Sequence, residues 1–326
     1  MSTPQPIIAI GRSRYLYDSV AHLAARGHRV AAIVTDDAYA EYDVTADQLE
    51  TLADQVGASF LKAKSLSREI GFLSEIVERE QVQAAVSVNW RYKIGAPVLD
   101  LFPSGVLNFH LGSLPDYKGN ATVNWTILAG ENHIYANVHT MAPELDAGDV
   151  ISRASIPITP TSYVADIIGE AERLAPELFE RALARVASEP GACEVAGTTA
   201  GLRCYPRLPE DGQIDWSRSA DDVCRLVRAS SRPFAGAFSY IDGERTTIWR
   251  ARVAAPENPF LAVPGHVLEV RPASGSVLVA CGDGMLELEE IEQGDVLHAP
   301  AAVLRSIRSR FRSQPVPTKT NVKAEA

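Results

Sequence analysis

Residues 6–34 read PIIAIGRSRYLYDSVAHLAARGHRVAAIV. Pro6–Ile10 is a short apolar run of strand length that stops at Gly11. Leu16, Val20, Leu23 and Ala24 then recur every three or four residues, the stripe of a helix with one buried face. Gly27 stands where a helix commonly closes with a left-handed residue. Val30–Val34 is a second apolar run. Strand, helix and strand in this order form a unit whose two strands run parallel.

The rhythm continues downstream. Thr45 is placed as an N-cap, Leu49, Leu52 and Val56 share one helical face, and Gly57 ends that helix. Ser67–Glu80 reads as a third helix, Ala84–Val88 and Gly105–His110 as strands, and Val164–Val186 as a long helix. The alternation predicts a parallel sheet with helices on both faces. Ligands of such sheets bind beyond the carboxyl ends of the strands, where His110 lies. Residues 187–202 are small and turn-rich, as in a linker. After them come a helix at Ala220–Ala229 and several strand signals. Phe238–Ile241 and Thr246–Ala251 flank Asp242-Gly243, a strong hairpin turn; His266–Val270, Val277–Ala280 and Met285–Leu288 follow. The expected fold class is α/β: a Rossmann-like parallel sheet domain over residues 1–186, a linker over 187–202, a smaller OB-like β-barrel over 203–312 and a disordered tail over 313–326.

Composition bounds the function. Hydrophobic residues make up 46% and charged residues 22% of 326, ordinary for a globular chain. No apolar run approaches the ~20 residues that cross a membrane. Met1–Gln5 carries no signal-peptide pattern, so a cytoplasmic location is the expectation. The net charge of −10 disfavours a broad nucleic-acid surface. Cys193, Cys204, Cys224 and Cys281 are widely spaced, and neither a disulfide framework nor a metal site is expected.

The chemistry concentrates in residues 107–150, LNFHLGSLPDYKGNATVNWTILAGENHIYANVHTMAPELDAGDV. Asn108 and His110, two apart on a strand, point to one side. Asp146 follows in a turn with Gly148. An amide and an imidazole can stabilise the oxyanion formed when a nucleophile attacks an acyl carbon, and a carboxylate can orient the imidazole and help move the proton. From spacing alone, all three are equally ordinary turn residues. Gly11-Arg12-Ser13-Arg14 lacks the glycine spacing of a dinucleotide site.

Asn108-Phe109-His110, Ser113-Leu114-Pro115-x-Tyr117-Lys118-Gly119 and Glu144-Leu145-Asp146-Ala147-Gly148-Asp149 together resemble the hallmark of the folate-dependent formyltransferase family. The resemblance runs from Ile7 to about Leu288. It implies formyl transfer from 10-formyltetrahydrofolate to an amine by Asn108, His110 and Asp146, without a metal. It also implies a folate pocket along Tyr92, Lys93 and Ile94, along Ala142, Pro143, Glu144, Leu145 and Asp146, and near His139. Pro233–Tyr240, Thr247–Trp249 and Ala280–Gly284 are most similar to the branch acting on UDP-4-amino-4-deoxy-arabinose. An amino-sugar nucleotide is therefore the expected substrate. Hydroxyornithine-type amines and methionyl-tRNA stand as alternatives, as does plain hydrolysis of the folate; a homodimer is left open. Asn120 stands where the sugar-nucleotide relatives carry Arg. The arginines between 203 and 232 form a solvated face, or one or two of them hold a diphosphate.

Overall fold

A computed structural model of the chain describes residues 4–37, 43–255 and 260–314. Residues 315–326 of the expected tail lie outside these. The elements run β1 (Ile7–Gly11), α1 (Ser13–Ala25), β2 (Val30–Thr35), α2 (Ala46–Val56), β3 (Ser59–Lys62), α3 (Ile70–Glu80), β4 (Ala84–Val88), α4 (Ala96–Leu99), β5 (Val106–Leu111), β6 (Lys118–Gly119), α5 (Thr122–Ala129), β7 (His133–Thr140), β8 (Val150–Pro157), α6 (Val164–Ser188) and β9 (Arg203–Cys204). After a 3-10 turn at Pro209–Gly212 come α7 (Ala220–Ser230), β10 (Ala237–Ile241), β11 (Glu244–Ala254), β12 (Val267–Arg271), β13 (Ser276–Ala280), β14 (Met285–Gln293), β15 (Val296–His298) and α8 (Pro300–Val303). No helix among the described residues is long and apolar enough to cross a membrane.

By contact the described chain falls into two units. One gathers residues up to Val123 with Asn132–Pro157 and Ile167–Pro206; the other gathers Asn124–Glu131, Ile158–Asp166 and the chain from Arg207 onward. The first is built on a seven-stranded sheet in the order β3-β2-β1-β4-β5-β7-β8. β1 to β5 pair parallel, as the alternation predicts. β7 and β8 then join antiparallel, a feature absent from the sequence reading. Ile7, Ile8 and Ile10 are fully buried, as expected where helices cover both faces of a parallel sheet. Each such side chain contributes about 1.5–3 kcal/mol. The expected caps are present: Thr45 and Gln48 form a capping box, and Gly57 is left-handed. Gly11 ends β1 at φ +137°, where an added Cβ would lie 1.9 Å from the Val88 carbonyl oxygen. Only glycine lets the ends of β1 and β4 meet there.

The register of β5 against β7 sets the site. Asn108 faces His139 and His110 faces Asn137 across the ladder. With a period of two, all four side chains emerge on one face of the sheet.

The second unit is an antiparallel sheet in the order β10-β11-β14-β13-β12, with β15 beside β14. Its β10–β11 turn has both Asp242 and Gly243 at positive φ, as the Asp-Gly signal implies. Its edges are joined by an irregular segment. Tyr240 on β10 exchanges hydrogen bonds with Arg312, while Val267 on β12 donates to Ser309. The sheet thus closes as a small barrel around Trp216, Ile248, Val279, Leu286 and Phe311. Trp216 stacks on Phe311 and donates to Ser239 Oγ at 2.9 Å, which makes it a core residue.

Candidate active site

A cavity of about 620 Å³ opens in the first unit beyond the ends of β1, β4 and β5. It lies within the size range of small-molecule sites. Asn108, His110, His139 and Asp146 line it, as do Tyr92, Lys93, Ile94, Ala142, Pro143, Glu144 and Leu145. Every residue expected from the sequence to react or to hold the folate therefore lines one space.

The side chains interlock. His110 Nε2 donates to the Tyr117 carbonyl at 2.9 Å, which places a proton on that nitrogen. Its Nδ1 faces Asp146 Oδ2 at 3.6 Å, too far for a hydrogen bond, and remains for a reacting group. His139 is fully enclosed. Its Nδ1 donates to the Thr140 carbonyl at 2.8 Å, so its Nε2 carries the lone pair and accepts from Asn108 Nδ2 at 3.2 Å. Desolvation pushes the His139 imidazole down to about 4, against the attraction of Asp146, so the ring is neutral near pH 7. A neutral His139 in this tautomer accepts only the amino side of the Asn108 amide. That fixes the amide and leaves its second N–H for the cavity.

Asp146 lies between the two rings, 3.6 Å from His139 Nε2 through Oδ1, and accepts from the Gly119 amide at 2.8 Å through Oδ2. It is left-handed, at φ +47°. Gly148 holds this loop close: an added Cβ would lie 1.8 Å from the Thr140 carbonyl oxygen.

Several participants have no signal in the sequence reading. The Tyr117 carbonyl and the Gly119 amide are backbone groups. Asn137, fully buried, donates to the His110 and Tyr135 carbonyls. Arg12 enters the cavity lining from the end of β1, donating to the Asn89 carbonyl at 2.9 Å. The segment expected as a linker is bonded along its length. Val150 donates to Val195, Gly197 donates to Asp149 Oδ1 at 2.6 Å, and the buried Lys118 donates to the Thr198 and Ala200 carbonyls. β9 runs beside β6, with Lys118 opposite Arg203 and Gly119 opposite Cys204.

A Rossmann-like sheet with an amide, an imidazole and a carboxylate at its strand ends, followed by a small closed β-unit, is the build of a two-part group-transfer enzyme. Residues 7–183 match the family model described as formyl transferase, and residues 208–304 match that of the formyl transferase C-terminal domain. The chain belongs to the formyl transferase family. Solved structures share the fold at low identity. HypX from Aquifex aeolicus in complex with tetrahydrofolic acid is 20% identical with a TM-score of 0.59, over 94% of this chain and 48% of that one. The chain thus spans about half the length of HypX. WlaRD, a sugar 3N-formyltransferase solved with dTDP and 5-N-formyltetrahydrofolate, is 13% identical with a TM-score of 0.62, over 90% and 99%. An N-formyltransferase from Helicobacter canadensis, in complex with folinic acid and dTDP-3-aminofucose, is 15% identical with a TM-score of 0.61, over 88% and 98%.

Proposed function

We propose that the chain moves a formyl group from 10-formyltetrahydrofolate to the primary amine of an amino-sugar nucleotide in the cytoplasm, with Asn108, His110 and Asp146 as the reacting groups. The observation that carries this reading is the Asp146 carboxylate set between two imidazoles in one cavity with an oriented Asn108 amide. The cavity suits a folate: Tyr92, Ile94, Met141 and Leu145 offer flat and aliphatic surface, the 142–146 backbone offers polar groups to a pterin edge, and Lys93 offers a cation to an acidic tail. Among the described residues no group of three or more His, Cys, Asp or Glu is placed to hold a metal ion.

In this mechanism the amine attacks the formyl carbon and a nitrogen–carbon bond forms. The free N–H of Asn108 and, when the His110 ring carries a proton on both nitrogens, its Nδ1–H donate to the developing oxyanion. Asp146 receives the proton the amine loses, and the proton passes to the folate nitrogen as its bond to the formyl carbon breaks. Atoms balance without a covalent enzyme intermediate. The division into a catalytic sheet domain and a smaller accessory barrel belongs to the same proposal, with the 187–202 segment and β9 going with the sheet.

The test is to incubate the full chain and 10-formyltetrahydrofolate with UDP- and dTDP-linked amino sugars, an N-hydroxyornithine and methionyl-tRNA, reading product mass. Formylation of an amino-sugar nucleotide well above the other amines is the expected result. Formylation of one of the others alone, or formate release with no amine product, would replace the substrate assignment.

A further inference from the structure

The arginines between 203 and 232 are occupied within the second unit, with one exception. Arg207 donates to the Asp211 carbonyl at 2.8 Å and lies over Trp125. Arg218 and Arg225 both pair with Asp222. Arg228, buried, donates to the Ser162 carbonyl at 2.8 Å, and Arg232 pairs with Glu290 at 2.9 Å. Arg203 belongs to the first unit and lines the cavity that holds Asn108, His110 and Asp146. Its only contact of this kind among the described residues is the Tyr205 ring, 5.1 Å from the guanidinium carbon.

Arg203 is exposed at its side chain and rigid at its backbone. Lys118 N donates to Leu202 O at 3.0 Å and Asn120 N to Cys204 O at 3.2 Å, so a hydrogen bond stands on each side of it. Asp116 accepts from Leu202 N at 2.7 Å. Gly119 and Gly201 allow the two segments to touch: a Cβ on the first would lie 2.5 Å from Cys204 O, and on the second 2.1 Å from Pro115 O. The same turn supplies the carbonyl for His110 and the amide for Asp146. Arg203 is therefore presented at a fixed offset from the reacting groups.

We propose that Arg203 anchors the phosphate of the amine substrate, reading a nucleoside diphosphate through its planar fork of N–H donors. The inference rests on the amino-sugar nucleotide reading and names the residue that enforces it. A guanidinium matches a phosphate in two parallel hydrogen bonds, and its place over the Tyr205 ring, 5.1 Å from the centroid, uses none of its N–H donors. The other cations of the cavity are differently placed. Arg12 is held by the Asn89 and Asp37 carbonyls and Arg91 faces Asp36 at 3.6 Å. Lys93 lies among the residues assigned to the folate and serves the acidic tail of that molecule.

The experiment is calorimetry of UDP, dTDP and inorganic diphosphate on the full chain, on Arg203→Gln and on Arg203→Lys, with 5-formyltetrahydrofolate titrated in parallel. Arg203→Gln is expected to weaken UDP or dTDP by about tenfold or more, Arg203→Lys by less, with folate affinity and melting temperature unchanged. Arg203→Gln binding UDP and dTDP like the parent overturns the proposal. So does weakening of the folate in place of the diphosphates, which would make Arg203 a contact for the folate tail. So does a parent chain that binds none of the diphosphates. Arg203-dependent diphosphate binding with no formylation of any amino-sugar nucleotide would sustain this inference and remove the substrate reading on which the name of its ligand rests.

Discussion

Asp146 carries the most demanding assignment at the scale of single residues. Its carboxylate accepts from the Gly119 amide and faces both His110 and His139. Asp146→Asn keeps the shape and removes the proton acceptor. Maximal rate is expected to fall by about 10² or more, with little change in folate affinity if the pterin is held by the loop backbone. A variant that loses folate affinity but turns over normally at saturation would make Asp146 a folate contact only. His139 titrates in a way that stability can report. The unfolded chain takes up a proton on this histidine near its ordinary 6.5, the folded chain only at about 4. Between those limits the unfolded state binds more protons, so stability falls as pH is lowered through that window. His139→Asn is expected to flatten the fall in urea midpoint between pH 7 and pH 4.5; equal slopes in both proteins would contradict the buried neutral ring. Asn108, His110 and Asp146 were legible because their side chains carry the motif. The Tyr117 carbonyl and the Gly119 amide, which orient two of them, were not, since any residue owns such groups.

Elements position these residues through close backbone approach. Gly148→Ala drives a Cβ into the Thr140 carbonyl, whereas Gly71 on α3 has nothing within 4 Å of the added atom. Gly148→Ala is therefore expected to lower the melting temperature and to cut turnover by displacing Asp146, while Gly71→Ala is expected to be neutral or to stabilise by up to about 1 kcal/mol. Thermal melts with initial rates check both, and a Gly148→Ala enzyme of parental rate would break the link between this turn and catalysis. Helices α1, α2 and α6 and strands β1, β2, β4 and β5 stood out in the sequence because their apolar spacing is unambiguous. β3 is three half-buried residues and an exposed Lys62 and carried no such mark. β8 mixes Ser152, Arg153 and Ser155 with its apolar residues, so neither continuous burial nor alternation marks it. The β6–β9 pair joins two-residue strands across more than eighty positions, a contact that no local periodicity encodes.

At the scale of the whole chain, strand–helix alternation identified the first sheet, and the Asp242-Gly243 hairpin turn with the short strand runs after it identified a β-rich second unit. The small barrel was expected, but the segment that closes it was not legible, because residues 309–312 bridge its edges as irregular backbone. The proposed transfer routes no step through a metal. Dialysis against a chelator is expected to leave the rate unchanged, and restoration of lost activity by a divalent ion would contradict that. The central claim is that one cavity in the first unit transfers formyl from folate to an amine through Asn108, His110 and Asp146. Its most direct measurement is single-turnover formyl transfer from 10-formyltetrahydrofolate by the parent chain, His110→Ala and Asp146→Asn at saturating folate and amine. The account predicts a formylated amine and tetrahydrofolate in equal amounts from the parent. It predicts a rate lower by about 10²–10³ in His110→Ala, the cost of losing one oxyanion donor. Transfer by His110→Ala and Asp146→Asn at the parental rate, with melting temperatures intact, would contradict it.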